Sequence, residues 1–442
     1  MKPIKLSFWG ILLGLSGLWC VADLGLQVPS GFGSWRASFL NFTGILGIGV
    51  MSVALILATR PILLEPFFGG LDKMYRLHKW LGISALVLAT LHWLVKQLPG
   101  WLVDLGWMER PIRGHMPEPS APIFKFLQSL RGLAEGFGEW AFYALVVLIT
   151  LALVKWFPYR LFFKTHRLLA LAYLALVIHS VVLMKFSYWG EPLGWVMAIL
   201  MLGGSVASLI ILFRRVGSSR RMIGVVTAFT RHPQVRVLEV AVQAKGRWSG
   251  HQSGQFVFVT FETREGAHPF TISSAWSGDG HMNFLIKELG DYTRLLPQHL
   301  KVGDPVKIEG PYGCFDFNSE CARQIWVGGG IGITPFVARL EQLKLQPSDQ
   351  HIDLFYATAS PYNLAIHQLR LLAREARVVL HVMVEAKDGR LSVEHICKAV
   401  PDWQTGDIWF CGPASFGHAL HAGFAARGLT DKNFHEELFD LR

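Results

Sequence analysis

The sequence predicts a membrane α part joined to a soluble β and α/β part. It is a six-helix transmembrane bundle, then an antiparallel β-barrel, then a doubly wound parallel sheet. Three observations predict it. Apolar runs crowd residues 1–217, short β-branched and aromatic runs fill 218–320, and strands alternate with helices over 321–442. The 442 residues are 51% hydrophobic and 17% charged, where an ordinary soluble domain carries about 25% charged residues. The whole net charge of +10 sits in the first part, which holds 19 Lys/Arg against 9 Asp/Glu. Residues 218–442 hold 23 of each. A nucleic-acid binder concentrates its charge on a soluble module, so that class is excluded, and disorder with it.

Six runs approach or reach the roughly 20 residues that span a hydrocarbon core. They are Leu6–Leu26, Ser38–Ala58, His78–Val95, Gly138–Phe157, His166–Met184 and Leu193–Phe213. Lys2 and Lys5 before the first run resemble a signal peptide. No small-x-small cleavage site follows, and Trp19-Cys20 is a poor lipobox, so the run reads as a retained helix. Six spans put both ends on one side. One face collects 12 basic residues, at Lys2/Lys5, Arg60–Lys79, Lys155–Arg167 and Arg214/Arg215. The other collects 7, five of them along the Lys96–Glu139 connection. The positive-inside rule therefore places both termini and the soluble part in the cytoplasm. Eleven of the 16 Trp lie in this part, several near span ends as interfacial anchors.

Ionisable residues inside a membrane are costly and point to function. His78 and His92 lie on span three, His166 and His179 on span five. Fourteen residues is nearly four helical turns, so His78 and His92 share a face roughly 21 Å apart. Thirteen residues carries His179 well off the face of His166. If both pairs form, Arg167–Ile178 must hold a π-bulge, a tilt or another distortion. Topology sets His78 with His166 near the inner face and His92 with His179 near the outer face. Each pair can supply two axial imidazoles to one haem iron. A bare metal ion is the competing reading, but no carboxylate or Cys stands beside them at ligand spacing. Tyr173, midway between His166 and His179, could pack between two haems or serve as ordinary aromatic packing.

In the soluble part, Gly217-Ser218-Ser219 reads as a linker. Gly224–Val242, Gln255–Phe261, Met282–Lys287 and Pro305–Glu309 read as barrel strands. Ile325–Val327, His351–Ala357, Val378–Glu385, Asp407–Phe410 and Phe434–Phe439 read as strands of the parallel sheet. Thr334–Leu345, Asn363–Ala376, Ser392–Val400 and Ala414–Arg427 read as its helices. Val327-Gly328-Gly329-Gly330-Ile331-Gly332-Ile333-Thr334-Pro335 follows a strand and opens a helix. Glycines let the backbone approach a pyrophosphate, and the helix start supplies N–H donors. Thr334 can add a hydroxyl. The run does not fit G-x-G-x-x-G, because Pro335 takes the last place. Cys314, Cys321 and Cys397 lack zinc or C-x-x-C spacing and read as free thiols.

Together these residues resemble the ferric reductase and NADPH oxidase superfamily, essentially from end to end. The resemblance rests on the two His pairs and on His268-Pro269-Phe270-Thr271-Ile272-Ser273-Ser274-Ala275. It also rests on Phe284–Lys287 with Gly290–Thr293, Gly310–Gly313, Gly330–Pro335 and Cys411-Gly412-Pro413. It implies a di-haem membrane domain at 1–217, an FAD-binding barrel at 218–320 and an NAD(P)H-binding domain at 321–442. The resemblance puts Phe270 beside the isoalloxazine and Thr271 at its reactive edge, within a flavin motif that includes Pro269 and Ser273. His268, Lys287 and Thr293 would face the FAD pyrophosphate. Lys287 stands where relatives usually have Arg, and so lacks the bidentate fork. Gly328, Gly330, Gly332, Thr334 and Pro335 would hold the dinucleotide phosphates. Cys411, Gly412 and Pro413 would lie at the nicotinamide, and Phe439 would cover the flavin. No Arg follows the second sheet strand at Tyr356–Pro361, so selection of NADPH over NADH stays open. No calcium-loop pattern precedes the first span, so no built-in Ca²⁺ switch is expected.

The expected activity is transmembrane electron transfer from cytosolic NAD(P)H through FAD and two b-type haems. The acceptor outside would be oxygen or a ferric chelate. The alternatives are a partner redox protein or quinone as acceptor, or a non-catalytic haem-binding membrane protein. Arg110, Arg113 and His115 on the outer connection suit an anionic chelate and equally suit a solvated loop.

Overall fold

The computed structural model describes residues 2–24, 31–109, 121–154, 156–246 and 248–437. Phe439, Arg110, Arg113 and His115 lie outside them. Two compact units result, one of residues 1–64 and 73–216, the other of 65–72 and 217–442.

The first unit is helical. Helix α1 (Lys2–Trp19) ends in a π-turn at Cys20–Leu24. It is followed by α2 (Phe32–Ala58) and, after the short α3 (Glu65–Phe68), by α4 (Leu71–Asp104). The connection between the third and fourth spans carries α5 (Pro122–Ser129). Then come α6 (Arg131–Leu153), α7 (Tyr159–His166), α8 (Leu168–Leu183) and α9 (Pro192–Leu212). Six of the described helical stretches are long and apolar enough to cross a membrane: Pro3–Asp23, Phe32–Ala58, Leu71–Asp104, Arg131–Leu153, Arg160–Leu183 and Pro192–Leu212. This is an integral membrane protein. The fourth span starts seven residues before the expected Gly138, because polar residues at its N-terminal end still continue the helix. Span three is longer than the apolar run His78–Val95 at both ends for the same reason.

Small residues let these helices close up, as they do between membrane helices generally. A Cβ on Gly49 would meet Leu15 Cδ1 at 2.5 Å, and one on Gly204 would meet the Tyr173 hydroxyl at 2.1 Å. Tyr173 is buried in the cluster formed with α1, α2 and α9, and its hydroxyl lies 2.7 Å from Ser52 Oγ. These contacts accord with the reading of Tyr173 as ordinary aromatic packing.

In the second unit, six strands form the sheet β4-β3-β6-β1-β2-β5. They are β1 (Arg221–His232), β2 (Val237–Lys245), β3 (Phe256–Thr260), β4 (His268–Thr271), β5 (His281–Lys287) and β6 (Pro305–Tyr312). A bridge between Ile272 and Phe284 joins the two ends and closes the barrel. Alternate residues Leu238, Val240 and Val242, Met282, Phe284 and Ile286, and Val306 and Ile308 fill it. That is the period-two pattern of a strand with one buried face. The run Gly224–Val242 is two strands, not one: Pro233 and the positive φ of Arg236 turn the chain between them. Strand β4 escapes a propensity reading because Pro269 sits in it, as a proline can on an outer strand. Helix α10 (Asp291–His299) crosses between β5 and β6.

Five parallel strands follow in the order β11-β10-β7-β8-β9. They are β7 (Arg323–Gly329), β8 (His351–Thr358), β9 (Val379–Val384), β10 (Gly406–Cys411) and β11 (Phe434–Glu437). The helices are α11 (Thr334–Leu345), α12 (Asn363–Glu375), the single turn α13 (Glu385–Asp388), α14 (Val393–Ala399) and α15 (Ala414–Ala425). Trp326, Leu354 and Trp409 pack with Phe336, Leu340 and Leu369 on one face of the sheet. Ile325, Val327 and Phe410 pack with Ile396, Leu420 and Phe424 on the other. Both faces are covered, as a parallel sheet requires.

The expected boundary at 217/218 falls between Val216 and Gly217, and residues 65–72 join the second unit rather than the first. The reason is specific: Glu65 Oε1 accepts the Gly313 N–H at 2.6 Å, and Arg220 lies 3.8 Å from its other oxygen. Burial pushes the Glu65 carboxyl above its ordinary range.

Candidate functional site

The four membrane histidines form two pairs. His78 and His166 have ring centroids 5.9 Å apart at 69°, and His92 and His179 have theirs 6.3 Å apart at 74°. Between His166 and His179 span five is irregular at Arg167, between α7 and α8, and Arg167 keeps helical dihedrals of φ −63° and ψ −27°, so no π-bulge lies there.

Hydrogen bonds orient three of the rings. His78 Nδ1 lies 2.8 Å from the Ala54 carbonyl, and His179 Nδ1 lies 2.8 Å from the Ala134 carbonyl. A carbonyl only accepts, so each Nδ1 carries the proton and donates it. His92 Nδ1 lies 3.0 Å from Thr43 Oγ1. That hydroxyl donates its own proton to the Phe39 and Leu40 carbonyls, so His92 Nδ1 is the donor here too. With Nδ1 protonated, Nε2 of each ring keeps a bare lone pair. This is how metal-binding imidazoles are held by their second shell. The fourth ring, His166, stacks on Phe162 at 4.9 Å.

Ring separation tests the fit of a haem. A metal–imidazole bond of about 2.0 Å plus a ring radius of about 1.1 Å sets two axial rings about 6 Å apart, centroid to centroid. Both pairs meet that. Among the described residues no cluster of three or more His, Cys, Asp or Glu could hold a metal ion. Two imidazoles alone suit an ion whose other ligands come from a macrocycle. The residues fit a haem at each pair.

Other contacts at the His92/His179 pair have no simple sequence signal. A Cβ on Gly138 would lie 2.0 Å from His179 Nδ1. Pro99 lacks an N–H and so leaves the Val95 carbonyl without its helical donor. Arg36 Nε donates to that carbonyl at 3.1 Å, and Arg36 Nη2 donates to the Lys96 carbonyl at 2.9 Å. Lys96 pairs with Glu139 at 2.9 Å.

In the second unit the two expected flavin segments meet. His268 stacks on Tyr292 at 4.6 Å and 16°, with Phe270 beyond it at 6.4 Å. Burial pushes the His268 imidazole down to about 4. Thr271 is buried, and its Oγ1 has no hydrogen-bond partner among the described residues. An orphaned buried hydroxyl carries a cost that a ligand can relieve, and this fits a flavin edge. Pro269 lies in β4 beside Phe270. Ser273 is buried, its N–H donating to the Asn283 carbonyl at 2.8 Å.

Other expected ligands are engaged within the protein. The Lys287 ammonium donates to the Val235 carbonyl, and burial followed by the Arg236 charge lowers its pKa. Thr293 Oγ1 accepts the Leu289 and Gly290 N–H groups at 3.0 and 3.1 Å and so caps α10. Thr334 Oγ1 donates to the Ile331 carbonyl at 2.7 Å, which commits the proton assigned above to phosphate.

The glycine run forms the β7–α11 turn, and Gly330 there has φ +57° with open space at its Cβ position. The neighbouring glycines seat β7 against β10. A Cβ on Gly332 would meet the Cys411 carbonyl oxygen at 2.2 Å, and one on Gly328 would meet Ile333. One on Gly329 would meet Pro413 at 3.0 Å, and Gly412 is equally tight against Gly329. Pro335 lies in the first turn of α11. Cys411 is fully buried, and burial followed by the Glu437 charge raises its thiol well above the ordinary range. The five cysteines form no disulfide.

Residues 43–177 match the family described as ferric reductase like transmembrane component, and residues 230–316 match an FAD-binding domain. The chain is 27% identical over 196 residues to the toluate 1,2-dioxygenase electron transfer component of Pseudomonas putida, across 42% of this chain and 58% of that one. It is 26% identical over 232 residues to respiratory burst oxidase homolog protein E of Arabidopsis thaliana, across 44% and 23%. The chain thus spans about half the length, or less, of these curated relatives. Phthalate dioxygenase reductase aligns at 15% identity and TM-score 0.43, over 50% of this chain and 68% of that one. A Malassezia yamatoensis flavohemoglobin aligns at 14% identity and TM-score 0.48, over 93% and 100%.

Proposed function

We propose, for a chain that matches the ferric reductase and NADPH oxidase superfamily through its membrane and flavin parts, that it is an NAD(P)H oxidoreductase moving electrons across a membrane. The donor is cytosolic NAD(P)H and the acceptor outside is oxygen or a ferric chelate. The observation that carries this reading is the pair of facing imidazole couples, each about 6 Å across, with Nδ1 of three of the four rings tied off and Nε2 of those left for iron. When bound, FAD converts a two-electron hydride donor into single electrons, and two haems relay these one at a time.

The protein's own part is placement. His78 and His92, on one face of α4, set two centres at different depths, and His166 and His179 of span five meet them there. Ala54, Thr43 and Ala134 fix the tautomers. His268, Phe270, Tyr292 and the orphaned Thr271 hydroxyl supply an aromatic and polar seat for a flavin. The open Gly330 turn at the start of α11 supplies a phosphate approach. The basic excess, 12 residues against 7, supports cytoplasmic termini. Thr358 Oγ1 donates to the Ser360 carbonyl at 3.2 Å in a turn that suits either dinucleotide.

The test is turnover of the purified protein with NADH and with NADPH. Oxygen is the first acceptor, with superoxide trapping, and a ferric chelate under anaerobic conditions is the second. Dithionite should give a b-type haem spectrum, and its absence ends the proposal. His92→Ala should lose the outer haem and acceptor reduction while NAD(P)H still reduces FAD. Unchanged haem content in that variant overturns the pairing.

A further inference from the structure

Helix α7 carries more than a haem ligand. Arg160, Lys164 and Arg167 stand at i, i+4 and i+7, which on a helix is one narrow stripe. None of the three makes a side-chain hydrogen bond or ion pair with any described residue. Exposed apolar side chains flank the stripe: Leu161 and Leu168 on one side, Phe163 on the other. Trp156, just before the helix, is 94% exposed. The opposite face carries Phe162 and His166, stacked on each other and turned inward.

A cationic stripe between apolar shoulders, at the end of a membrane span, is the pattern of a span end that meets charged lipid headgroups. Its charge selects the lipid. Each cation near an anionic leaflet is worth about fivefold in binding. We propose that α7 is a binding site for anionic phospholipid headgroups of the cytoplasmic leaflet, and that this contact holds His166 in place. His166 is the last residue of α7 and Arg167 keeps helical dihedrals, so the ring sits on the same helical stretch as the stripe, on its opposite face. A headgroup bound to Arg160 and Lys164 therefore steadies the face that bears the imidazole. The second clause rests on the haem reading above; the first does not.

The test uses the full-length protein in phosphatidylcholine nanodiscs containing a fraction of spin-labelled phosphatidylglycerol. The immobilised label reports binding whether or not haem is present. Wild type should prefer phosphatidylglycerol over an equally labelled phosphatidylcholine at low salt. The Arg160→Gln/Lys164→Gln variant should lose about fivefold of that preference per charge removed. The low-spin electron paramagnetic resonance signal of the inner haem should sharpen on adding phosphatidylglycerol to wild type and not to the variant. Arg214→Gln/Arg215→Gln, in the turn after α9, should leave that sharpening intact. No lipid preference in wild type, or an equal preference in the α7 variant, overturns the site. Lipid preference without any change in the haem signal overturns the holding role. A protein that binds no haem but keeps its lipid preference refutes the haem reading alone.

Discussion

The closest approach at the outer imidazole pair makes Gly138→Ala the sharpest test of the haem geometry. The added methyl would sit 2.0 Å from His179 Nδ1, 2.4 Å from Cε1 and 2.8 Å from Cγ, where ordinary contact begins at 3.4 Å. The ring must therefore retreat by about 1.4 Å, and overpacking of this kind costs about 1–3 kcal/mol. The retreat also removes the ring from the Ala134 carbonyl, 2.8 Å away at present, which holds its tautomer. Metal–ligand distances tolerate about 0.2 Å, so His179 should no longer reach an iron shared with His92. Haem per polypeptide, measured as the pyridine haemochrome, should fall from two to one, with the inner pair kept. Gly44→Ala is the matched control. Its methyl would lie 3.5 Å from His92 Cε1, an ordinary contact, and two haems should remain. Two haems with an unaltered spectrum in the Gly138 variant would refute the reasoning, as would equal loss in both variants.

Thr43→Val keeps the shape beside His92 but removes the acceptor of its Nδ1 proton; outer-haem affinity, read by haem loss to apomyoglobin, should fall about 10–100-fold. Arg36→Met leaves the Val95 carbonyl opposite Pro99 unsatisfied and should destabilise the membrane unit by about 1–3 kcal/mol in thermal unfolding at fixed detergent. His268, held near 4 by burial against an ordinary 6.5, binds its proton more weakly in the folded state. Its contribution to stability is thus complete above about pH 6.5 and is lost as pH falls toward 4, at about 1 kcal/mol per pH unit after allowing for its partial exposure. Thermal denaturation of the wild type and of His268→Gln between pH 7 and 4.5 should show the slope only in the wild type; parallel curves would contradict the burial of the neutral ring.

The membrane spans and the barrel and sheet strands were largely legible because each buries apolar side chains with a fixed period. The paired histidines were legible for the opposite reason, since imidazoles are rare in apolar helices. Span ends were less so: Arg131–Phe137 carries polar residues and still continues α6, because helix geometry does not stop where hydropathy does. The flavin strand β4 was hidden by Pro269. The roles expected of Thr293 and Thr334 are the ones that spacing supports least. A hydroxyl at a helix start has two uses, capping the backbone or meeting a ligand, and spacing does not separate them. In the structure both are spent on backbone groups, Gly290 and Ile331.

The 13-residue interval between His166 and His179 shows what sequence arithmetic can and cannot reach. On ideal helix geometry the two rings point to different faces, so two facing pairs call for an irregularity between them. The irregular residue is Arg167, directly after His166, and its φ −63° and ψ −27° keep the chain helical. Span five therefore runs as one helical stretch, Arg160–Leu183, with the Tyr173 hydroxyl still 2.7 Å from Ser52 Oγ. The ring positions are then set by how the helices pack, which spacing along one helix does not encode. On the haem reading proposed above, His179 would be held by the Ala134 carbonyl and crowded by Gly138, while His166 would share a helix with the cationic stripe. A change of lipid charge should then be felt at the His78/His166 centre and not at the His92/His179 one.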